Sequence, residues 1–155
     1  MTKMKFIKKK IKFKTNKQFE INDLTSKAEE IVLNSGIKSG ILTVFSLHTS
    51  ATLAVNEKES CFFKDFEEFA SRIVPKEKYY RHNDLNVRTE NLVCSPETEE
   101  CLNGDSHIQH MFIGYPSVTL IIEEGKIILG QWQRIFFIEL DQKRDREVLF
   151  HIMGE

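Results

Sequence analysis

Residues 117–152 read SVTLIIEEGKIILGQWQRIFFIELDQKRDREVLFHI. Ser117 to Ile122, Ile127 to Leu129, Arg134 to Leu140 and Glu147 to Ile152 are runs rich in β-branched and other apolar residues, and Glu123-Glu124-Gly125-Lys126 places glycine third in a tight turn. The runs follow one another with no helical period between them. Parallel neighbours would need a crossover of a dozen or more residues, so the spacing predicts antiparallel pairing.

Upstream, Ile41 to Leu47 reads as a largely buried strand, bounded by Gly40 in front and by the polar run His48-Thr49-Ser50 behind, with His48 at its exit. Two helices lie among the strands. For the first, Asn22 and Asp23 offer capping oxygens, Leu24, Ala28, Ile31 and Val32 recur at helical spacing, and Gly36 follows as a left-handed stop. For the second, Phe62, Phe66, Phe69 and Ile73 fall at i, i+4, i+7 and i+11, Phe63 and Ala70 widen the stripe, and Pro75 ends it. Such a stripe predicts core packing rather than a ligand box. From Pro75 to Gly104 the chain is polar and without clear period, which favours a functional loop, and it holds Tyr79, Tyr80, Arg81 and His82. Strands at both ends and helices in the middle define an α+β class, a mainly antiparallel sheet with two principal helices. No repeat, low-complexity segment or linker divides the 155 residues, so a single domain over 1–155 is expected.

Lys+Arg 22 against Asp+Glu 23 gives a net charge of −1, which removes any overall pull toward nucleic acid or an anionic membrane. Local clusters must carry such an argument. Eight lysines fall within the first 17 residues, but Ile11 and Phe13 alternate with Lys10, Lys12 and Lys14, as in a half-buried edge strand with a solvated lysine face. Nucleic-acid attachment through these lysines is therefore not expected. No apolar stretch reaches the ~18 residues needed to span a bilayer, and no secretory signal is evident, so the expected location is cytoplasmic. Cys61, Cys94 and Cys101 are odd in number and lack CxxC spacing, which favours reduced thiols over a Cys94–Cys101 bridge or a thiolate zinc site.

His48, His82, His107 and His110 all stand in polar segments. Imidazole is the usual metal ligand and proton carrier near neutral pH. His107 and His110 are three apart, which on a helical turn puts them to one side, and His48 and His82 could converge with them on a site with an open coordination position. Solvated or hydrogen-bonded structural histidines are the alternative. Thr49, Ser50, Asn56 and Glu57 place hydroxyls, a carboxamide and a carboxylate near His48, supplying donors, acceptors and a base. They read equally as a hydroxyl-rich turn with Asn56 or Glu57 beginning the second helix. Gln131, Trp132, Gln133 and Arg134 interrupt two strands and suit stacking on a ring and gripping a phosphate, or else a sheet corner in which Trp132 covers the core. Arg144 and Arg146 near Lys143 read more readily as the start of a solvated strand than as a phosphate clamp.

In order along the chain, His48-Thr49-Ser50-Ala51, Asn56-Glu57, Tyr80-x-His82, Gly104-Asp105-Ser106-His107, Leu129-Gly130-x-Trp132-Gln133, Glu139-Leu140-Asp141 and Arg144-x-Arg146 resemble the signatures of the YjbQ-like family. The resemblance implies an α+β fold that assembles as a homotrimer, with a pocket near the subunit boundary. There His48, His82 and His107 would bind zinc or another divalent ion, magnesium if the substrate is a diphosphate. His110 has no counterpart in the family pattern, and Gln109 and Gln131 stand where many members have Lys and Thr, departures that bear on phosphate contact and substrate preference. Members are labelled secondary thiamine-phosphate synthases, which implies a transferase side activity joining a pyrimidine diphosphate to a thiazole phosphate. His48 and Glu57 would then be catalytic. Thr49, Ser50, Asn56, Trp132, Gln133 and Arg134 would hold the small, phosphorylated substrate, Arg134 meeting the departing diphosphate and Trp132 stacking on the pyrimidine. The alternative is a metal- or small-anion-binding module without turnover.

Overall fold

The lysine-rich segment forms β1 (Lys5–Lys14), in which Ile7, Ile11 and Phe13 are half-buried against the core and Lys8, Lys10, Lys12 and Lys14 alternate to the outward face. It pairs along its whole length with β8 (Asp145–Gly154), antiparallel, from Lys5 opposite Gly154 to Lys14 opposite Asp145. In the computed structural model, which describes residues 3–92 and 102–155, β1 is the edge of a five-stranded antiparallel sheet. The order is β1-β8-β3-β5-β6, with β3 at Gly40–Ser46, β5 at Ser117–Glu123 and β6 at Lys126–Ile127. Glu124 and Gly125 both take positive φ, 51° and 78°, as a two-residue hairpin whose twist matches its strands requires. The expected strand at Ile127 to Leu129 shortens to β6. Cys94 and Cys101 lie outside the described residues.

A second sheet of three strands has the order β2-β7-β4, with β2 at Ile21–Asp23, β7 at Gln133–Glu139 and β4 at Ala51–Glu57. β4 replaces the turn that its hydroxyls and Asn56-Glu57 admitted, because Ala51, Leu53 and Val55 alternate inward and pair opposite β7. Ala51, Leu53, Ile135 and Phe137 join Leu42, Val44, Val148, Phe150 and Ile152 in the main core between the sheets. Helix α1 (Thr25–Ser35) adds Ala28, Ile31 and Val32 to that core, and Leu24 just before it joins them. Asp23 Oδ1 accepts from the Thr25 amide at 3.0 Å, and Gly36 ends the helix at φ 67°.

Helix α2 (Ser60–Ile73) begins where Glu59, not Asn56 or Glu57, accepts from the amides of Cys61 and Phe62, and it lies on the outer face of the three-stranded sheet. Its phenylalanine stripe is less buried than the spacing predicts: Phe69 and Ile73 stay 48% and 49% exposed. Three short strands offer too narrow a floor to cover the whole face of a 14-residue helix. A third helix, α3 (Gly104–Ile113), joins the two principal ones expected, because the His107-to-His110 turn extends over ten residues. The class is α+β. Among the described residues no helix is long and apolar enough to cross a membrane.

On the β1–β8 ladder Glu147 accepts from Lys10 Nζ at 2.9 Å and Lys12 Nζ at 2.7 Å, and Lys14 pairs with Asp145 at 3.5 Å. Hydrogen bonds from Lys12 and then Lys10 bring the Glu147 carboxyl down to about 2. A depressed carboxyl contributes stability that is full above its unfolded value of 4.5 and is lost as pH falls from there toward about 2. In acid titrations followed by circular dichroism, Glu147→Gln is expected to flatten that part of the stability curve. An unchanged slope would show that the two lysines do not hold the carboxylate in solution.

Candidate functional site

His82 sits on a 3-10 turn (Arg81–Asn83) and His107 on the first turns of α3, and the two rings meet with centroids 4.7 Å apart at 65°. Asn83 Oδ1 accepts from the Gly104 amide at 2.8 Å, tying turn to helix. A Cβ on Gly104 would come within 2.8 Å of Tyr80 Cβ, so glycine permits this approach. Tyr79, Tyr80, Arg81 and Gly104 join the two histidines around a cleft of about 470 Å³.

The hydrogen-bond partners fix the tautomers of the neutral rings. His107 Nδ1 is 3.1 Å from the Thr49 carbonyl, which only accepts, so Nδ1 carries the proton and Nε2 keeps its lone pair. His82 Nε2 is 3.2 Å from Arg88 Nη1, which only donates, so that lone pair is engaged. Burial, then the charge of Arg88, push His82 below the ordinary imidazole value. His48 Nε2 accepts from the Glu147 amide at 2.7 Å, and burial followed by the Arg146 charge lowers it too. His110 is lowered chiefly by burial, and its Nε2 is buried without a hydrogen-bond partner among the described residues. Of the two rings that line this cleft, His107 is the one whose acceptor nitrogen has no hydrogen-bond partner among the described residues.

The candidates named from the sequence do not share one cleft. Thr49 lies against His107, while His48 lines a different cleft with Lys12, Lys14, Arg146 and Glu147. Asn56 and Glu57 stand at the far end of β4, opposite Arg134 and Gln133 in register. At ~3.3 Å per residue the seven residues of β4 put about 20 Å between its ends, so one chain does not bring His48 and Glu57 together. Trp132 is 64% exposed in the turn before β7 and does not cover the core. Gln133 Oε1 accepts from the Gly130 amide and Arg134 Nη1 donates to the Gln133 carbonyl, so both shape their own turn. Among the described residues no three His, Cys, Asp or Glu side chains are grouped to hold a metal ion.

Ser50 is buried and belongs to an ion-pair network that the sequence reading missed. Arg146, expected on a solvated strand, is 4% exposed; its Nε donates to Glu139 Oε2 at 2.6 Å and its Nη2 to Glu139 Oε1 and to Ser50 Oγ. Thr15 Oγ1 donates to Glu139 at 2.7 Å, and Arg144 pairs with Asp141 at 2.9 Å. A signal existed. Glu139 shares parity with Ile135 and Phe137, and Arg146 with Val148, Phe150 and Ile152, so each charge falls on an inward position and requires an opposite partner.

The geometry defines a class, an antiparallel α+β chain of two stacked sheets with a histidine pair beside one end of β4. Comparison with known proteins gives the family. The family model described as "UPF0047 protein YjbQ-like" matches residues 9–155, and the chain belongs to that family. It is 32% identical over 152 residues to a UPF0047 protein of Methanothermobacter thermautotrophicus, covering 98% of this chain and 95% of the relative. A UPF0047 protein of Archaeoglobus fulgidus is 35% identical over 136 residues, covering 88% and 93%. Among solved structures, a YbjQ-like protein of unknown function from Sulfolobus solfataricus superposes with a TM-score of 0.84 at 30% identity, over 99% of this chain and 100% of that one. A hypothetical protein from Aeropyrum pernix gives 0.80 at 30% identity, over 96% and 99%.

Proposed function

We propose that the chain is a small-molecule enzyme whose proton carrier is His107, acting on a phosphorylated substrate in the cleft it shares with His82. The observation that carries this is the Nε2 of His107, which has no hydrogen-bond partner among the described residues, on a ring held through Nδ1 by the Thr49 carbonyl with a second imidazole 4.7 Å away. A positioned base needs such a lone pair within reach of substrate. The secondary thiamine-phosphate synthase reaction, joining a pyrimidine diphosphate to a thiazole phosphate, is the concrete activity to test.

The donor set of one chain does not fit a zinc ion on His48, His82 and His107, since two of the three Nε2 lone pairs are already engaged. A divalent ion such as magnesium would instead accompany a diphosphate substrate as its counter-ion. His48 acts here by position, tying the 48–50 segment to β8. The assembly is a homotrimer in this reading, supported by an apolar row on the outward face of the large sheet: Phe6, Met153, Ile41 and Ile121 lie opposite one another across four strands. Phe6 and Ile121 are 64% and 62% exposed, and such rows mark interfaces. Joining copies would be the way for Glu57 and Arg134 to approach another copy's imidazoles.

Purified protein, incubated with both precursors and magnesium, is expected to form thiamine phosphate, and His107→Ala to slow it by roughly 100-fold or more, with zinc well below one per chain by elemental analysis. Turnover unaffected by His107→Ala would end this reading. The second reading, a small-anion-binding module without turnover, is favoured by Arg81 and Arg88 flanking His82; it predicts calorimetric phosphate binding with no reaction on any precursor.

A further inference from the structure

We propose that the cavity between α2 and the outer face of the three-stranded sheet is a second ligand site, built for a small, uncharged, planar aromatic molecule. The cavity is about 420 Å³, within the ~300–1,000 Å³ of small-molecule sites. Ala54, Phe136 and Ile138 form its floor and Phe62, Phe63 and Phe66 its roof. The helix is propped by edge-to-face contacts, Phe63 on Phe136 of β7 at 5.3 Å and Phe66 on Phe19, in the segment before β2, at 6.1 Å. These contacts hold the rings upright and leave the space between roof and floor open.

Three features select the ligand. Among the described residues no charged side chain and no histidine lines the cavity, which disfavours a phosphorylated substrate and sets it apart from the cleft of His82 and His107. Its walls are chiefly aromatic and aliphatic, and they offer water few hydrogen bonds, whereas a flat ring would meet the faces and edges of four phenylalanines. At the margin stands Asn56, whose Oδ1 accepts from the Glu57 amide at 2.8 Å, which leaves its amide nitrogen to donate to an acceptor on the ring's rim. Walls on both sides favour a small molecule over a second copy of the chain, since a protein surface would have to insert a side chain between helix and sheet. The first three phenylalanines of the α2 stripe, Phe62, Phe63 and Phe66, are then the roof of a binding site.

Indole titrated into the full chain tests this. Methyl resonances of Ile21, Ile113 and Ile138 should shift and saturate at one indole per chain, while those of Ile7 and Ile152 in the main core stay fixed. Ala54→Phe, which fills the floor, should weaken binding roughly tenfold or more, and Phe66→Leu, on the half-exposed roof where folding tolerates it, should weaken it as well. Shifts confined to Ile41 and Ile121 on the large sheet, or undiminished binding in both variants, would overturn the proposal. So would movement of the Ile113 and Ile138 methyls with protein concentration alone, because the cavity would then be filled by another copy.

Discussion

Arg146→Ala is expected to lower the stability of the chain by about 3–5 kcal/mol, the range for removing one partner of a buried ion pair. The loss has a specific origin. Glu139 is fully enclosed, and its carboxylate accepts from Arg146, from Thr15 Oγ1 and from the Asp141 amide. Truncating Arg146 leaves that charge without its cation and removes the donor to Ser50 as well. Urea unfolding should show the midpoint falling with the slope unchanged. Replacing both partners by apolar residues, Glu139→Leu with Arg146→Met, is expected to recover only part of the loss, because the Asp141 amide and Thr15 hydroxyl would lose their acceptor. A deficit below about 1 kcal/mol for Arg146→Ala would mean that the pair is solvated, as surface pairs are.

Phe137→Ala should cost a comparable amount, about 3–5 kcal/mol, by opening a cavity in the main core. Phe137 is fully buried, meets Phe13 of β1 edge-on at 5.0 Å and 87°, and stands opposite Leu53 in register. It therefore ties the edge of one sheet to the middle of the other. Phe69→Ala on α2 is the matched control: a phenylalanine 48% exposed, whose removal should change stability by roughly 0.5 kcal/mol or less. Equal losses in the two variants would mean that α2 is covered in solution along its whole stripe.

That pair of phenylalanines also marks where sequence reading succeeds and where it stops. Alternation along β1, the helical spacing of Leu24, Ala28, Ile31 and Val32, and the glycine of the β5–β6 turn each depend on neighbours a few residues away, and each came out as expected. The helical period of α2 was equally clear, but how deeply its stripe is buried depends on the width of a sheet made of segments far apart in sequence. β4 was hidden because Thr52 and Asn56 alternate with only modest apolar partners, Ala51 and Val55, so its strand character rests on pairing with β7. For the site, the His82–His107 pairing is tertiary and could be foreseen only as a convergence. Which lone pairs are free depends on a backbone amide at Glu147, a guanidinium at Arg88 and a carbonyl at Thr49, none of which residue type or spacing encodes.

The strand order carries a consequence for synthesis. β8 lies between β1 and β3, so the sheet begun by residues 5–14 has no middle until residues 145–154 have left the ribosome. Until then β1 and β3 each lack their shared neighbour, and closure requires a contact spanning nearly the whole polypeptide, the kind that slows folding. The many ammonium groups on β1 would keep nascent chains apart during that interval, a service rendered before the protein has a finished shape.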